Sequence, residues 1–166
     1  MRMNEEMRLA GARAFALLRA RGAHVSFAES LTGGLIAATL VENSGASAVL
    51  DESYVTYAPE SKMRILGVAR ETVETVGVVS ARCAREMAAG VRRISGADWG
   101  VSATGLAGPD GGTEQTPVGT VFVGVVGAGG AQAFEFHFDG DRAQVRVQTV
   151  DAALTALTRC MEGAQA

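Results

Sequence analysis

The sequence predicts a single three-layer α/β/α domain over residues 1–166, with a mixed central sheet. Three observations carry that prediction. Helical and strand patterns alternate through most of the chain, as they do when a sheet is covered on both faces. Apolar residues are 48% of the chain but aromatics only 5%. Ala, Val, Leu and Gly therefore do the packing, which suits helices laid on a sheet better than an aromatic-rich sandwich. Two late strand patterns follow one another with no helix between them, so part of the sheet is antiparallel. The 166 residues suffice for one hydrophobic core, and no internal repeat or linker divides them.

The elements follow in order. Residues 4 to 21 read as a helix with Met7, Ala10, Ala14 and Leu17 on one stripe and Gly22 as its stop. "HVSFA", residues 24 to 28, is a short strand. A helix spans about Thr32 to Glu42 and ends at "NSG". "AVLDESYVTYA", residues 48 to 58, is rich in β-branched and aromatic residues and reads as a strand. "PESKMRIL" opens on proline, which fits the first turn of a helix. Ser80 caps a further helix with Cys83, Met87, Val91 and Ile94 on one face. "DWGVSAT", residues 98 to 104, is a strand that runs into the glycine-rich loop "GLAGPDGGTEQTP". "VGTVFVGVV" is almost wholly apolar, as in a strand buried on both faces. "AFEFHF" alternates, with Phe134, Phe136 and Phe138 on one face and Glu135 and His137 on a solvated one. A last helix runs from about Asp141 to Met161. Asp141 and Gln144 form its capping box, and Ala143, Val147, Val150, Leu154, Leu157 and Met161 its apolar stripe.

Charge and composition narrow the function. The formal charge is -3 with no basic block, which argues against phosphate-driven nucleic-acid binding. No run is long and apolar enough for a membrane helix, and charges interrupt the N-terminal segment, unlike a signal peptide. Two cysteines, Cys83 and Cys160, are too few for a disulfide framework. They point to core packing and a reduced, cytoplasmic setting. No cluster has metal-ligand spacing, so neither a metal nor another cofactor is expected.

The chemistry-bearing candidates are few. Ser30 stands where the first strand hands over to a helix, at the kind of strand end where open α/β sheets place their sites. Gly33 and Gly34 beside it permit close approach to the backbone. A nucleophile there would draw on first-turn N–H groups near Thr32, Gly33 and Gly34 for an oxyanion. The competing role for Ser30 or Thr32 is a plain helix cap. A serine nucleophile needs a base, and neither His24 nor His137 belongs to a triad-like segment. Lys62 is the sole lysine among 15 basic residues. Unlike arginine it can lose its proton when desolvated; a solvated helix-face lysine is the alternative. Thr104 and Gly105, at a strand end, line a site or begin a turn. Arg142 and Arg146, one turn apart at the start of the last helix, form an anion pocket or a solvated face.

Four segments, "AESLTGGLIA", "VTYAPESKMRILGV", "SATGLAGPDGGTEQTPVGTVFVG" and "GDRAQVR", together resemble the C-terminal domain of the competence/damage-inducible protein CinA. The likeness extends from about residue 5 to 160. Stand-alone members of that family are nicotinamide-nucleotide amidohydrolases of pyridine nucleotide salvage. The resemblance implies deamidation of nicotinamide mononucleotide to the nicotinate nucleotide and ammonia, without metal. It implies Ser30 as nucleophile, Lys62 as base and Tyr57 as the residue that orients them. Thr104 and Gly105 would line the pocket, and Arg142 would bind the 5′-phosphate. It implies a nucleotide as the small-molecule substrate, and a homo-oligomer. The molybdopterin-binding-like domain of longer relatives is not expected in this chain. Two positions depart from the family pattern. Leu31 stands where cysteine is usual and Pro59 where asparagine is usual. Leu31 favours the alternative reading, a non-catalytic nucleotide-binding or assembly module descended from the enzyme.

Overall fold

The computed structural model describes residues 3–164; of the expected 1–166 domain, residues 1, 2, 165 and 166 lie outside the described residues. Five strands form one sheet: β1 (Val25–Glu29), β2 (Leu50–Val55), β3 (Trp99–Gly105), β4 (Thr120–Gly127) and β5 (Gly130–His137). Their spatial order is β2-β1-β3-β4-β5. β1 is parallel to both β2 and β3, whereas β4 is antiparallel to β3 and β5. The sheet is thus mixed, as expected from the uninterrupted β4–β5 pair. The chain leaves β1 for β2 on one side and later returns to place β3 on the other. The carboxyl end of β1 is therefore a switch point, where the connections diverge and open a crevice. Ser30 is the next residue.

Helices α1 (Glu5–Arg21), α2 (Leu35–Val41) and α5 (Arg142–Gly163) cover one face. Their core joins Met7, Leu18, Ile36, Leu40 and Leu154 to Phe27 and Val101 of the sheet. Helices α3 (Pro59–Leu66) and α4 (Ala81–Ser95) cover the other, around Leu66, Cys83, Met87 and Val91. Local signals explain most of the boundaries. Asn4 accepts from the Met7 amide to start α1, and Gly22 ends it at φ 57°. Pro59 opens α3 and Ser80 caps α4 through the Cys83 amide. The Asp141–Gln144 capping box forms as read.

Several boundaries and faces differ from expectation. β1 starts at Val25 and takes in Glu29; His24 lies before it, its imidazole 2.6 Å from Asp51. The helix expected from Thr32 begins only at Leu35, because Leu31 to Gly34 form a tight turn. In α1 the buried position is Leu18, with Leu17 only partly covered. Ile94 of α4 faces solvent, and Ala143 of α5 is exposed while Val145 is buried. A short π-helical segment, Thr72–Val76, was not anticipated; five residues carry no readable helical period. The solvated face of β5 is as read, with Glu135 and His137 exposed and 3.1 Å apart.

Gly90 sets the height of α3 against α4. A Cβ built there would collide with the carbonyl oxygen of Leu66 at the end of α3. Gly90→Ala is expected to cost about 3 kcal/mol or more through this overpacking. Urea unfolding measures it, and wild-type stability would contradict so close a helix contact.

Candidate active site

Ser30 is fixed by the sheet before it is fixed by anything else. Its amide donates to the Ala103 carbonyl of β3 at 3.0 Å, extending the β1–β3 ladder by one residue. The chain then turns sharply: the Gly33 amide donates to Ser30 O at 3.1 Å, and Gly33 and Gly34 take φ 60° and 96°. Both angles favour glycine. The N-cap of α2 is Gly34, with no side-chain cap bond of its own. Neither Ser30 nor Thr32 therefore caps the helix, and the hydroxyl of Ser30 is free for other work.

Lys62 meets it from the opposite layer. It closes the first turn of α3, is only 1% exposed, and carries its Nζ to 3.1 Å from Ser30 Oγ. The Nζ also donates to the carbonyls of Thr56 at 2.6 Å and Tyr57 at 3.4 Å. No carboxylate forms an ion pair with it among the described residues. Burial therefore acts on the amine without a counter-charge and pulls its pKa below the ordinary lysine value. Burial pushes the Cys83 thiol up to about 11, so it stays protonated at neutral pH. A neutral Lys62 has two N–H groups and one lone pair. With its N–H groups on the two carbonyls, that neutral form turns its lone pair to the hydroxyl of Ser30, to which the charged form donates.

A cleft of about 240 Å³ opens above the pair. Ser30, Lys62, Tyr57, Thr104, Gly105 and Arg142 all line it. Larger hollows of about 370, 350 and 310 Å³ lie elsewhere, but none of the three is lined by a serine hydroxyl beside a buried amine. Chemistry rather than volume selects the site.

Individual roles differ from those expected. Tyr57 touches Lys62 through its carbonyl, while its hydroxyl accepts from Arg142 Nη2 at 3.0 Å. Any orienting of the dyad by Tyr57 is therefore done by its backbone. Thr104 donates its hydroxyl to Val78 O at 2.8 Å, pinning the Val78–Val79 wall of the cleft. Arg142 also donates to Gly108 O at 3.0 Å, so it sits at the cleft rim against the glycine-rich loop. Arg146 does not join it in an anion pocket. Its Nε and Nη2 are taken by the carbonyls of Leu31 and Thr32 at 2.8 and 2.9 Å.

Thr32, Gly33 and Gly34 do not line the cleft. The Gly33 and Gly34 amides are committed, to Ser30 O and to Glu29 Oε2 (2.9 Å). Contrary to expectation, they are therefore not available as oxyanion donors. The amides of Leu31 and Thr32 make no hydrogen bond among the described residues. Sequence reasoning missed Glu29, Leu106 to Gly108 and the Val78–Val79 wall. Glu29 had a signal, as the one charged residue inside the apolar run "HVSFAES". The wall had none, because two valines before a helix cap look like any core approach.

A doubly wound α/β/α domain with a serine–lysine pair at the switch point of its sheet is the class that fold and site define. Comparison with known proteins is more particular. The model of the CinA C-terminal domain matches residues 9–161, and the chain belongs to that family. It is 49% identical over 142 residues to a CinA-like protein of Anaeromyxobacter sp. (strain K), covering 86% of this chain and 35% of the relative. A CinA-like protein of Endomicrobium trichonymphae is 47% identical over 135 residues, 81% of this chain and 32% of that one. The chain thus spans about a third of the length of the curated relatives it matches. Among solved structures, the competence/damage inducible protein from Agrobacterium tumefaciens superposes with TM-score 0.92 at 38% identity, over 96% of this chain and 98% of that one. A CinA superfamily protein from Escherichia coli gives 0.87 at 31% identity, over 96% and 94%. No described helix is long and apolar enough to cross a membrane.

Proposed function

We propose that the domain hydrolyses the carboxamide of nicotinamide mononucleotide, releasing ammonia and nicotinate mononucleotide. The observation that carries this reading is the buried amine of Lys62 beside the hydroxyl of Ser30. Ser30 Oγ attacks the carboxamide carbon as its proton passes to the neutral Nζ. The tetrahedral intermediate collapses with cleavage of the C–N bond, and Lys62 returns the proton to the departing nitrogen as ammonia. Water then attacks the Ser30 ester, Lys62 takes a proton from it, and the proton returns to Ser30 as nicotinate leaves. The Leu31 amide, next to the nucleophile and in the cleft wall, is the better placed of the two uncommitted donors for the oxyanion. Arg142, at the cleft rim, receives the 5′-phosphate.

Ammonia release from nicotinamide mononucleotide tests the reaction. Tight nucleotide binding without ammonia would transfer the protein to the non-catalytic reading. The same assay run from pH 5 to 10.5 tests the base. Only the neutral amine accepts a proton, so kcat should rise with pH along a limb centred below the ordinary lysine value of about 10.4. A limb centred at or above that value would mean that the amine is not desolvated.

A further inference from the structure

We propose that Glu29 and Arg146 are positioning residues that grip the Ser30 turn from opposite sides; this rests on the reading of Ser30 as nucleophile. Glu29 is the last residue of β1, immediately before Ser30, and it is fully buried. Its side chain does not continue up the sheet but reaches across the turn. Oε2 accepts from the amides of Gly34 at 2.9 Å and Ile36 at 3.1 Å. Oε1 accepts from the Ala37 amide at 3.0 Å and the Ser53 hydroxyl at 3.4 Å. No cation pairs with it among the described residues, so these four donors alone offset the burial of the carboxylate. A one-oxygen cap such as serine could not satisfy three amides at once. The result is a closed ring. Ser30 to Gly33 are held between the backbone of Glu29 and its own carboxylate.

The same residue reaches the base. The carbonyl of Glu29 accepts from the Thr56 amide at 2.9 Å, and the carbonyl of Thr56 takes Lys62 Nζ at 2.6 Å. Nucleophile and base are therefore both referred to residue 29, one through its side chain and one through two backbone steps. From the α5 side, the Arg146 fork takes the carbonyls of Leu31 and Thr32, two turn residues that the Glu29 carboxylate does not touch. It packs over Gly33 at ordinary contact distance, since a Cβ built there would stand 3.5 Å from Arg146 Nη2. Neither side chain lines the cleft. Their effect on the chemistry passes through the placement of the turn that carries Ser30 and the Leu31 amide.

The test uses the full chain and two readouts. One is ammonia release from nicotinamide mononucleotide. The other is the rate at which a small fluorophosphonate labels Ser30, followed by intact mass, which needs no natural substrate. Glu29→Gln puts an NH₂ against backbone N–H groups and should lower kcat and labelling rate about 100-fold, the scale of a small misplacement of a reacting group. KM should stay within about twofold, since neither side chain lines the cleft. Arg146→Met should behave alike, and Arg146→Lys, which restores one charge-assisted contact, should recover part of the loss. Leu40→Val perturbs the buried side of α2 without touching the turn and should keep wild-type kcat at a comparable loss of Tm. If Glu29→Gln fails to fold, the two Arg146 variants decide, because they leave the α2 cap intact. Wild-type kcat and labelling in the folded variants overturn the proposal while the dyad stands. A wild type that is labelled but releases no ammonia defeats the substrate reading alone, and the labelling ratios then decide the grip. A wild type that does neither defeats both.

Discussion

Lys62→Met and Ser30→Ala are each expected to lower kcat by about 10⁴-fold or more, and the double variant is expected to be no worse than either. Residues that act as one unit lose the whole function when either is removed. Activity multiplying down through both changes would show that the two work separately. Ammonia release measures this, with circular dichroism to confirm the fold. Lys62→Met carries a second signature in stability. The folded-state pKa of Lys62 lies below its unfolded value. Between those two values the unfolded chain binds more protons than the folded one, so wild-type stability climbs as pH rises through that window. A methionine has no proton to bind, so its curve lacks this contribution. The wild type should gain on the variant as pH approaches about 10. Parallel curves would mean that Lys62 titrates as it would in water.

Arg142→Met is expected to raise KM for nicotinamide mononucleotide about 10- to 100-fold, the worth of one or two charge-assisted hydrogen bonds. kcat should change far less, because the guanidinium stands at the rim and not at the dyad. Nicotinamide riboside, which has the same carboxamide but no phosphate, should be turned over equally by both forms. A KM that does not move for the nucleotide would remove Arg142 from phosphate recognition. It would then be left as a brace between Gly108 and Tyr57, the two groups it bonds in the free protein.

Arg142 and Arg146 show why spacing alone was a poor guide. Both lie at the start of α5 on neighbouring turns, and a helix wheel puts them on one face. The structure sends one to the cleft and the other to the carbonyls of the serine turn. The difference arises because the turn ends with its carbonyls directed at α5, an arrangement set by a chain segment more than 100 residues away. Ser30 and Thr32 make the same point about caps. Each is a good cap residue by type, yet the cap belongs to Glu29, whose longer side chain reaches three amides from the strand behind.

The order of helices and strands, the mixed sheet, the starts at Asn4, Pro59, Ser80 and Asp141, and the pairing of Ser30 with Lys62 as candidates were all written in local pattern and residue type. Such features depend on side-chain period, on capping chemistry and on which groups can titrate, and these act over a few residues. The separation of 3.1 Å between Ser30 and Lys62, the dry surroundings of the amine, and the commitment of the Gly33 and Gly34 amides were not written there. Each depends on how β1, α3 and α5 stack across two layers. Burial and hydrogen-bond partnership belong to that stacking, because desolvation is a property of everything packed around a group and not of the group itself.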